Sequence, residues 1–294
     1  MYTIDKLYEA VDVRGPVCVG LDTAEAYIPP KERRRWEWDY QAVWAYNQAL
    51  IDATADVAAC FKVQIAYYEA MGLGGLETYA KTLRTIRERG SLVIADIKRG
   101  DIADTAAQYA KAHFEGVFEA DFVTLSPYMG MDSLDPWLSY THRTGKGAFV
   151  LMRTSNPGMR DFEYQELKGG GRLYDAVGDR LTELAALGKH GYGAFGAVVG
   201  CTEREEAAAI REKWETLFFL IPGYGAQGGA AEDAVLLLQN GNGGVVNASR
   251  SILKAWTTEA QEAATCSDAA EAARKAVITM RDAIRAAVNT GAFP

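Results

Sequence analysis

Three charged residues stand inside or at the edge of apolar runs, where a folded chain least easily carries them. Lys62 interrupts the run Cys60–Ala66, and Asp96 and Lys98 close the run Leu92–Lys98. Asp96 and Lys98 are two positions apart, so on a β-strand their side chains point to the same face. Asp101 completes an Asp-x-Lys-x-x-Asp pattern, and Asp22 ends an earlier run, Val17–Asp22. A lone charge at a strand end is usually a solvated terminus or half of an ion pair, and several could make a core salt-bridge network. Lys62 on a strand beside Asp96 and Lys98 makes something more specific, an alternating acid–base array. Its members fix one another's charge and shift one another's proton affinity as a coupled unit.

A second constellation lies near the C-terminal end. Pro222-Gly223-Tyr224-Gly225-Ala226-Gln227-Gly228-Gly229 follows one apolar run, and Ser249-Arg250-Ser251 follows the next. Glycine permits close backbone approach, helix N-termini offer free N–H donors, and Arg250 adds a fixed positive charge. A Gly-rich turn alone is weak evidence; paired with Arg250 at the next strand end, it reads as a phosphate site.

The elements that must position these groups are short apolar runs, each followed by a turn and a helix-patterned stretch. They are Val17–Asp22, Cys60–Ala66, Leu92–Lys98, Phe122–Pro127, Ala148–Ser155, Ala194–Gly200, Thr216–Gly223 and Gly244–Ser249. Most are continuously apolar, as suits strands of a parallel sheet buried on both faces. Strand–helix alternation repeated this often predicts a single (β/α)8 TIM barrel spanning residues 1–294, with its catalytic groups at the C-terminal ends of the strands. Loops after the seventh and eighth strands are the customary phosphate position of such a barrel. Thr202-Glu203-Arg204-Glu205 reads as a capping box opening a helix, while Gly90, Gly116 and Asn240-Gly241 read as helix ends.

Three stretches exceed a minimal barrel. Ile28–Asp56 carries Trp36, Trp38, Tyr40, Trp44 and Tyr46, and reads as an extra helical segment packed on the barrel rather than a nucleotide-stacking surface. Asn156–Lys189 is an extended loop plus helix, open to reading as a lid or as a surface insertion. The Ala-rich stretch Thr257–Val288 reads as a closing helix or helix pair.

Composition sets outer limits. The 294 residues carry 31 Lys+Arg against 39 Asp+Glu, a net charge of −8, which argues against a nucleic-acid binder working through a general basic field. Cys18, Cys60, Cys201 and Cys266 are scattered and far from His113, His142 and His190, so neither a zinc site nor a disulfide framework is expected. Met1–Arg14 is charged and lacks the apolar core of a signal peptide, and no apolar run is long enough to cross a bilayer. The expectation is a soluble cytoplasmic protein with no metal, no nucleic-acid partner and no membrane partner.

The joint pattern resembles the orotidine 5′-monophosphate decarboxylase family. Asp96-x-Lys98-x-x-Asp101-Ile102-x-x-Thr105 is similar to its signature, in the branch with Lys-Arg-Gly between the acidic positions. Thr154-Ser155-Asn156-Pro157-Gly158 is similar to that same branch, and the Gly-rich loop with Arg250 to the family's phosphate clamp. The resemblance runs from Asp22 to Arg250; Ala103 departs from it, standing where Gly is expected.

The resemblance implies a role for each matched position. Asp22 and Lys62 contact the ribose, and Lys62 also orients Asp96. Asp96 lies beside the substrate carboxylate, and Lys98 beside C6, the atom that loses carbon dioxide. Ser155 bonds the pyrimidine amide edge, while Gln227, Gly228 and Arg250 hold the phosphate. Asp101 joins Lys98, Asp96 and Lys62 in the catalytic set and Ile102 and Thr105 join the substrate-binding set, with Asp101 and Thr105 lent to a partner subunit's ribose across a two-fold interface. The implied reaction converts orotidine 5′-monophosphate to uridine 5′-monophosphate in pyrimidine biosynthesis. It needs no cofactor and passes through a C6 carbanion that Lys98 stabilises and protonates. Two other readings are a Mg²⁺-dependent sugar-phosphate decarboxylase or aldolase on the same barrel, and a non-catalytic nucleotide-binding barrel. Lys62 stands where the sugar-phosphate enzymes carry an acid, and it would repel a metal. A barrel that had lost catalysis would be expected to have lost one of these charges.

Overall fold

Runs of β-branched and aromatic residues favour a pleated surface buried on both sides, and each of the expected runs contributes one strand. A computed structural model describes residues 1–184, 188–225, 229–257 and 264–290. The strands are β1 (Val17–Gly20), β2 (Cys60–Gln64), β3 (Leu92–Arg99) and β4 (Phe122–Leu125). They continue with β5 (Gly147–Arg153), β6 (Phe195–Val199), β7 (Phe219–Ile221) and β8 (Gly244–Ala248). All neighbours pair in parallel, and β1 pairs with β8, Val17 opposite Val246, so the sheet closes into a (β/α)8 barrel.

The longer helices are α1 (Thr3–Arg14), α2 (Asp39–Thr54), α3 (Gly72–Glu88) and α4 (Ala103–Phe114). After them come α5 (Asp135–Thr144), α6 (Leu173–Leu184), α7 (Arg204–Lys213) and α8 (Cys266–Asn289). Among the described residues no helix is long and apolar enough to cross a membrane.

Alternation along each strand separates two cores. Val17, Val19, Phe61, Val63, Val93, Ala95, Val123 and Val150 face the helices and join one apolar layer. Their neighbours Cys18, Cys60, Ile94, Phe122, Phe149, Leu220 and Val245 face the barrel axis. Ile4, Leu7 and Val11 of α1, spaced for one helix face, pack into that inner cluster. The N-terminal helix therefore plugs the barrel floor, and burying each of its three aliphatic side chains contributes about 1.5–3 kcal/mol.

The aromatic-rich segment is helical, as expected, but its long helix α2 is the barrel's own crossover between β1 and β2. A four-residue helix, Pro30–Arg33, precedes it. Trp36 and Trp38 remain at the surface, while Tyr46 is buried and donates to the Leu253 carbonyl at 2.5 Å. Helix α8, the expected closing helix, turns Ala269, Ala273, Val277, Met280, Ile284 and Ala287 inward.

The capping box expected at Thr202–Glu205 does not form: α7 begins at Arg204 without a side-chain cap. Thr202 lies three residues beyond β6, and its hydroxyl donates instead to the Ser155 carbonyl at 3.4 Å. The same motif works at Thr265–Asp268, where each residue's side chain accepts the other's backbone N–H, at 3.2 and 2.8 Å.

Ala103 opens α4 with φ +47°, in the left-handed region that glycine adopts without penalty. The Gly that the family resemblance leads one to expect there would adopt this backbone without strain. Ala103→Gly should stabilise the fold by about 1 kcal/mol, read by urea unfolding, because it relieves that strain. An unchanged or lower stability would show that Ala103 is not strained.

Candidate active site

The inward-facing positions become polar towards the C-terminal end of the barrel. On β2 the sequence on the inner face is Cys60, Lys62, Gln64; on β3 it is Ile94, Asp96, Lys98; on β4 it is Phe122, Thr124. Gln64 pairs with Asp96 across the β2–β3 ladder. These side chains converge on one carboxylate. Asp96 Oδ2 accepts from Lys62 Nζ at 2.8 Å and Gln64 Nε2 at 3.0 Å. Asp96 Oδ1 accepts from Lys98 Nζ at 2.6 Å and Thr124 Oγ1 at 2.8 Å.

Lys62 also donates to Asp22 Oδ1 at 2.9 Å, whose other oxygen accepts from Ser249 Oγ at 2.9 Å. Gly20 makes the second contact possible. A Cβ there would lie 2.0 Å from Ser249 Oγ and 2.9 Å from Asn247 Oδ1. The array thus runs from β8 across β1 and β2 to β4.

Burial and charge act in opposite directions here. The Lys62 and Asp96 side chains are each only 6% exposed, whereas that of Lys98 is 48% exposed. Burial disfavours the Asp96 carboxylate, but the Lys62 and Lys98 ammonium groups outweigh it and hold the acid well below the usual carboxylate range. For Lys62, burial opposes the ammonium, and Asp96 and Asp22 overcome it, pushing its proton affinity above the ordinary lysine value.

A cavity of about 410 Å³ opens above the array. Asp22, Lys62, Asp96, Lys98, Ser155 and Arg250 all line it, so those expected site residues come together. Leu151, Val198 and Leu220 form an apolar wall, and Thr154, Asn156 and Tyr224 add polar edges. Thr154 is tied to the extended loop after β5, with its amide donating to Glu163 Oε2 at 2.8 Å and its hydroxyl to Glu163 Oε1 at 2.7 Å. That loop is held to α7 by the ion pairs Arg160–Glu203 at 2.9 Å and Arg172–Glu206 at 2.5 Å.

Other expectations fall elsewhere. Asp101, Ile102 and Thr105 do not line this cavity; they sit at the start of α4, with Ile102 47% exposed. Gln227 and Gly228 lie outside the described residues. The flanks of their loop close on themselves, Gly225 donating to the Gly229 carbonyl at 2.8 Å and Gly229 to the Gly223 carbonyl at 3.1 Å. Trp36, Trp38, Tyr40, Trp44 and Tyr46 contribute nothing to the cavity wall.

Sequence reasoning missed Gln64, Thr124, Asn247, Tyr27 and Tyr67, all of which line the cavity. Gln64 and Thr124 follow an inward residue by two positions, and Asn247 is a polar residue within an apolar strand; those were the available signals. Among the described residues no group of three acidic, His or Cys side chains is placed to hold a metal ion. Lys62 occupies the gap between Asp22 and Asp96, where a divalent ion bridging them would have to sit.

Comparison with known proteins places this geometry in context. The profile of the Orotidine 5′-phosphate decarboxylase / HUMPS family matches residues 15–266. An orotidine 5′-phosphate decarboxylase of Clostridium perfringens (strain SM101 / Type A) is 56% identical over 286 residues, 97% of this chain and 98% of the relative. Its counterpart from Clostridium tetani is 51% identical over 289 residues, 98% and 99% of the two chains. The solved OMP decarboxylase of Leishmania donovani superimposes with a TM-score of 0.74 at 32% identity, covering 96% of this chain and 100% of that one.

The array makes its own prediction about stability. Asp96, with its lowered proton affinity, contributes stability above the ordinary carboxylate range, and that contribution is lost as pH falls through its folded value. Lys62, with its raised affinity, contributes below the ordinary lysine range and loses it as pH rises through its folded value. Both contributions are present at neutrality. Lys62→Met should therefore cost about 3–5 kcal/mol at pH 7, by urea unfolding, because it leaves buried carboxylates short of their shared cation. The deficit should narrow in acid as Asp96 takes up a proton. A deficit that stayed constant with pH would contradict the coupling.

Proposed function

The chain belongs to the Orotidine 5′-phosphate decarboxylase / HUMPS family and is a carboxy-lyase of pyrimidine biosynthesis, and on that premise we propose how its own residues convert orotidine 5′-monophosphate to uridine 5′-monophosphate. The observation that carries the reading is Asp96 clamped by four donors at the cavity floor, with Lys98 Nζ on one of its oxygens.

Arg250 and the Gly-rich loop after β7, with Gln227 and Gly228, take the phosphate. Asp22 and Lys62 take the ribose hydroxyls, and Ser155 the amide edge of the base. Binding at the phosphate, remote from the reacting carbon, then supplies positioning at C6. The substrate carboxylate comes to lie beside Asp96, which cannot turn away because all its acceptor positions are engaged. As the C6–carboxylate bond breaks, carbon dioxide leaves and the electron pair stays on C6. Negative charge thereby moves away from Asp96 and towards the Lys98 ammonium. Lys98 stabilises the pair electrostatically and transfers one proton to C6, and the resulting amine regains its proton from water. The polar groups are oriented before the substrate arrives, so little reorganisation is needed during bond cleavage.

We also propose that the working unit is a homodimer in which Asp101 and Thr105, on either side of Ile102, serve the partner's ribose. Their position outside their own chain's cavity, with Ile102 exposed, supports this assignment. The bridging of Asp22 and Asp96 by Lys62 favours this reaction over a Mg²⁺-dependent one on a sugar phosphate.

Turnover is followed by the ultraviolet change on conversion of orotidine 5′-monophosphate, with and without chelator. Rates should be equal in both arms, with a fall of about 10³-fold or more for Lys98→Ala. Conversion only with added metal, or near-normal turnover by Lys98→Ala, would overturn it. Subunit sharing has a separate test. Equal amounts of inactive Lys98→Ala and Asp101→Ala chains, unfolded and refolded together, should regain about one quarter of parent activity, since half the sites in each hybrid dimer are then intact. No recovery would place Asp101 in its own subunit's site.

A further inference from the structure

We propose that Thr124 is the positioning residue that sets the Asp96–Lys98 pair for proton delivery, an inference that rests on the assignment of Lys98 as proton donor. The Thr124 side chain is buried at 1% exposure, and its hydroxyl is fully committed. It accepts from the Ile97 amide at 3.0 Å and the Lys98 amide at 2.9 Å, and donates to Asp96 Oδ1 at 2.8 Å. A hydroxyl has one proton and two lone pairs. With both lone pairs facing amides, its proton can only go to the carboxylate.

The ladder between β3 and β4 explains why such a residue is needed. Ala95 lies opposite Val123 and Arg99 opposite Leu125, so residues 96, 97 and 98 all face Thr124 alone. This bulge removes the regular strand partners of the Ile97 and Lys98 amides, and the hydroxyl replaces them. Lys98 itself sits at φ +43°, in a region that side-chain-bearing residues keep only where their surroundings hold them. That backbone turn brings Lys98 Nζ to 2.6 Å from the same oxygen that Thr124 engages. One side chain thus holds the strained backbone of the proton donor and the rotation of the acid beside it. Without the hydroxyl, the buried Ile97 amide and the Lys98 amide lack their acceptor, Asp96 loses one of its four donors, and Lys98 is free to relax away from the reacting carbon.

The test is steady-state kinetics and uridine 5′-monophosphate binding on the full chain carrying Thr124→Val, Thr124→Ser or Lys98→Ala. Valine keeps the shape and removes the hydroxyl. Its kcat should fall about 100-fold, as a misplacement near 1 Å at a reacting group does. Its KM and product affinity should stay within about threefold, the pattern of an interaction made only in the transition state. Serine restores all three hydrogen bonds and should recover most of the lost kcat. If valine does not fold, Thr124→Ala removes the same hydroxyl and takes its place.

A folded variant without the hydroxyl whose kcat stays within about threefold of the parent would overturn the proposal. So would a serine variant as impaired as valine, or a parallel loss of kcat and product affinity. Near-normal turnover by Lys98→Ala would instead defeat the assignment of Lys98. Inactive Lys98→Ala beside fully active Thr124→Val would defeat the role of Thr124 alone.

Discussion

At the mouth of the barrel, a buried carboxylate accepts hydrogen bonds from Lys62, Gln64, Lys98 and Thr124, two on each oxygen of Asp96. Much of the local structure is arranged to make that state tolerable. Burial alone disfavours the charged form of Asp96; two ammonium groups and two neutral donors keep it charged and hold its orientation. The donors come from three adjacent strands, so the geometry exists only when the parallel ladder is in register. Lys62 extends the constraint to Asp22, and Ser249 carries it to β8. The site and the closure of the barrel are therefore one structure rather than a site placed on a scaffold.

Parallel strands suit this purpose because the side chains along each inner face change character with height. Apolar residues at the floor pack against α1, and charged residues at the C-terminal end face the cavity. A fixed negative charge opposite a half-exposed cation is a poor device for ordinary binding. It suits a reaction in which negative charge leaves the neighbourhood of the acid and arrives near the lysine. The Lys98 side chain is 48% exposed against 6% for Lys62, a difference that supports the proposed division in which Lys62 orders the array and Lys98 delivers the proton.

Much of this was legible in the chain itself. The apolar runs marked the strands, and the charges that interrupt them marked the cavity, because a charge in such a run must be either paired or used. Less visible were the neutral members. Gln64 and Thr124 are ordinary residues for a strand, and their importance arises from what stands opposite them after folding, above all from the bulge that sets three residues of β3 against one of β4. Thr202 shows the limit of local motifs: a sequence able to cap a helix gave its hydroxyl to a neighbouring strand end instead. Ala103 shows the converse, since its departure from the family pattern gained a physical meaning only with its positive φ. Helix α1 is inconspicuous in the sequence, because its three inward residues are too few to mark a core helix until the barrel supplies a floor to plug.

The central claim is that Asp96 is held as a fixed carboxylate by its four donors. The most direct measurement is a carbon-13 NMR titration of the aspartate side-chain carboxyls, with the Asp96 signal assigned by its absence in Asp96→Asn. The Asp96 signal should stay at the ionised position while other aspartates titrate, throughout the pH range in which the protein remains folded. An Asp96 carboxyl that titrated at or above the ordinary value of about 4 would contradict it.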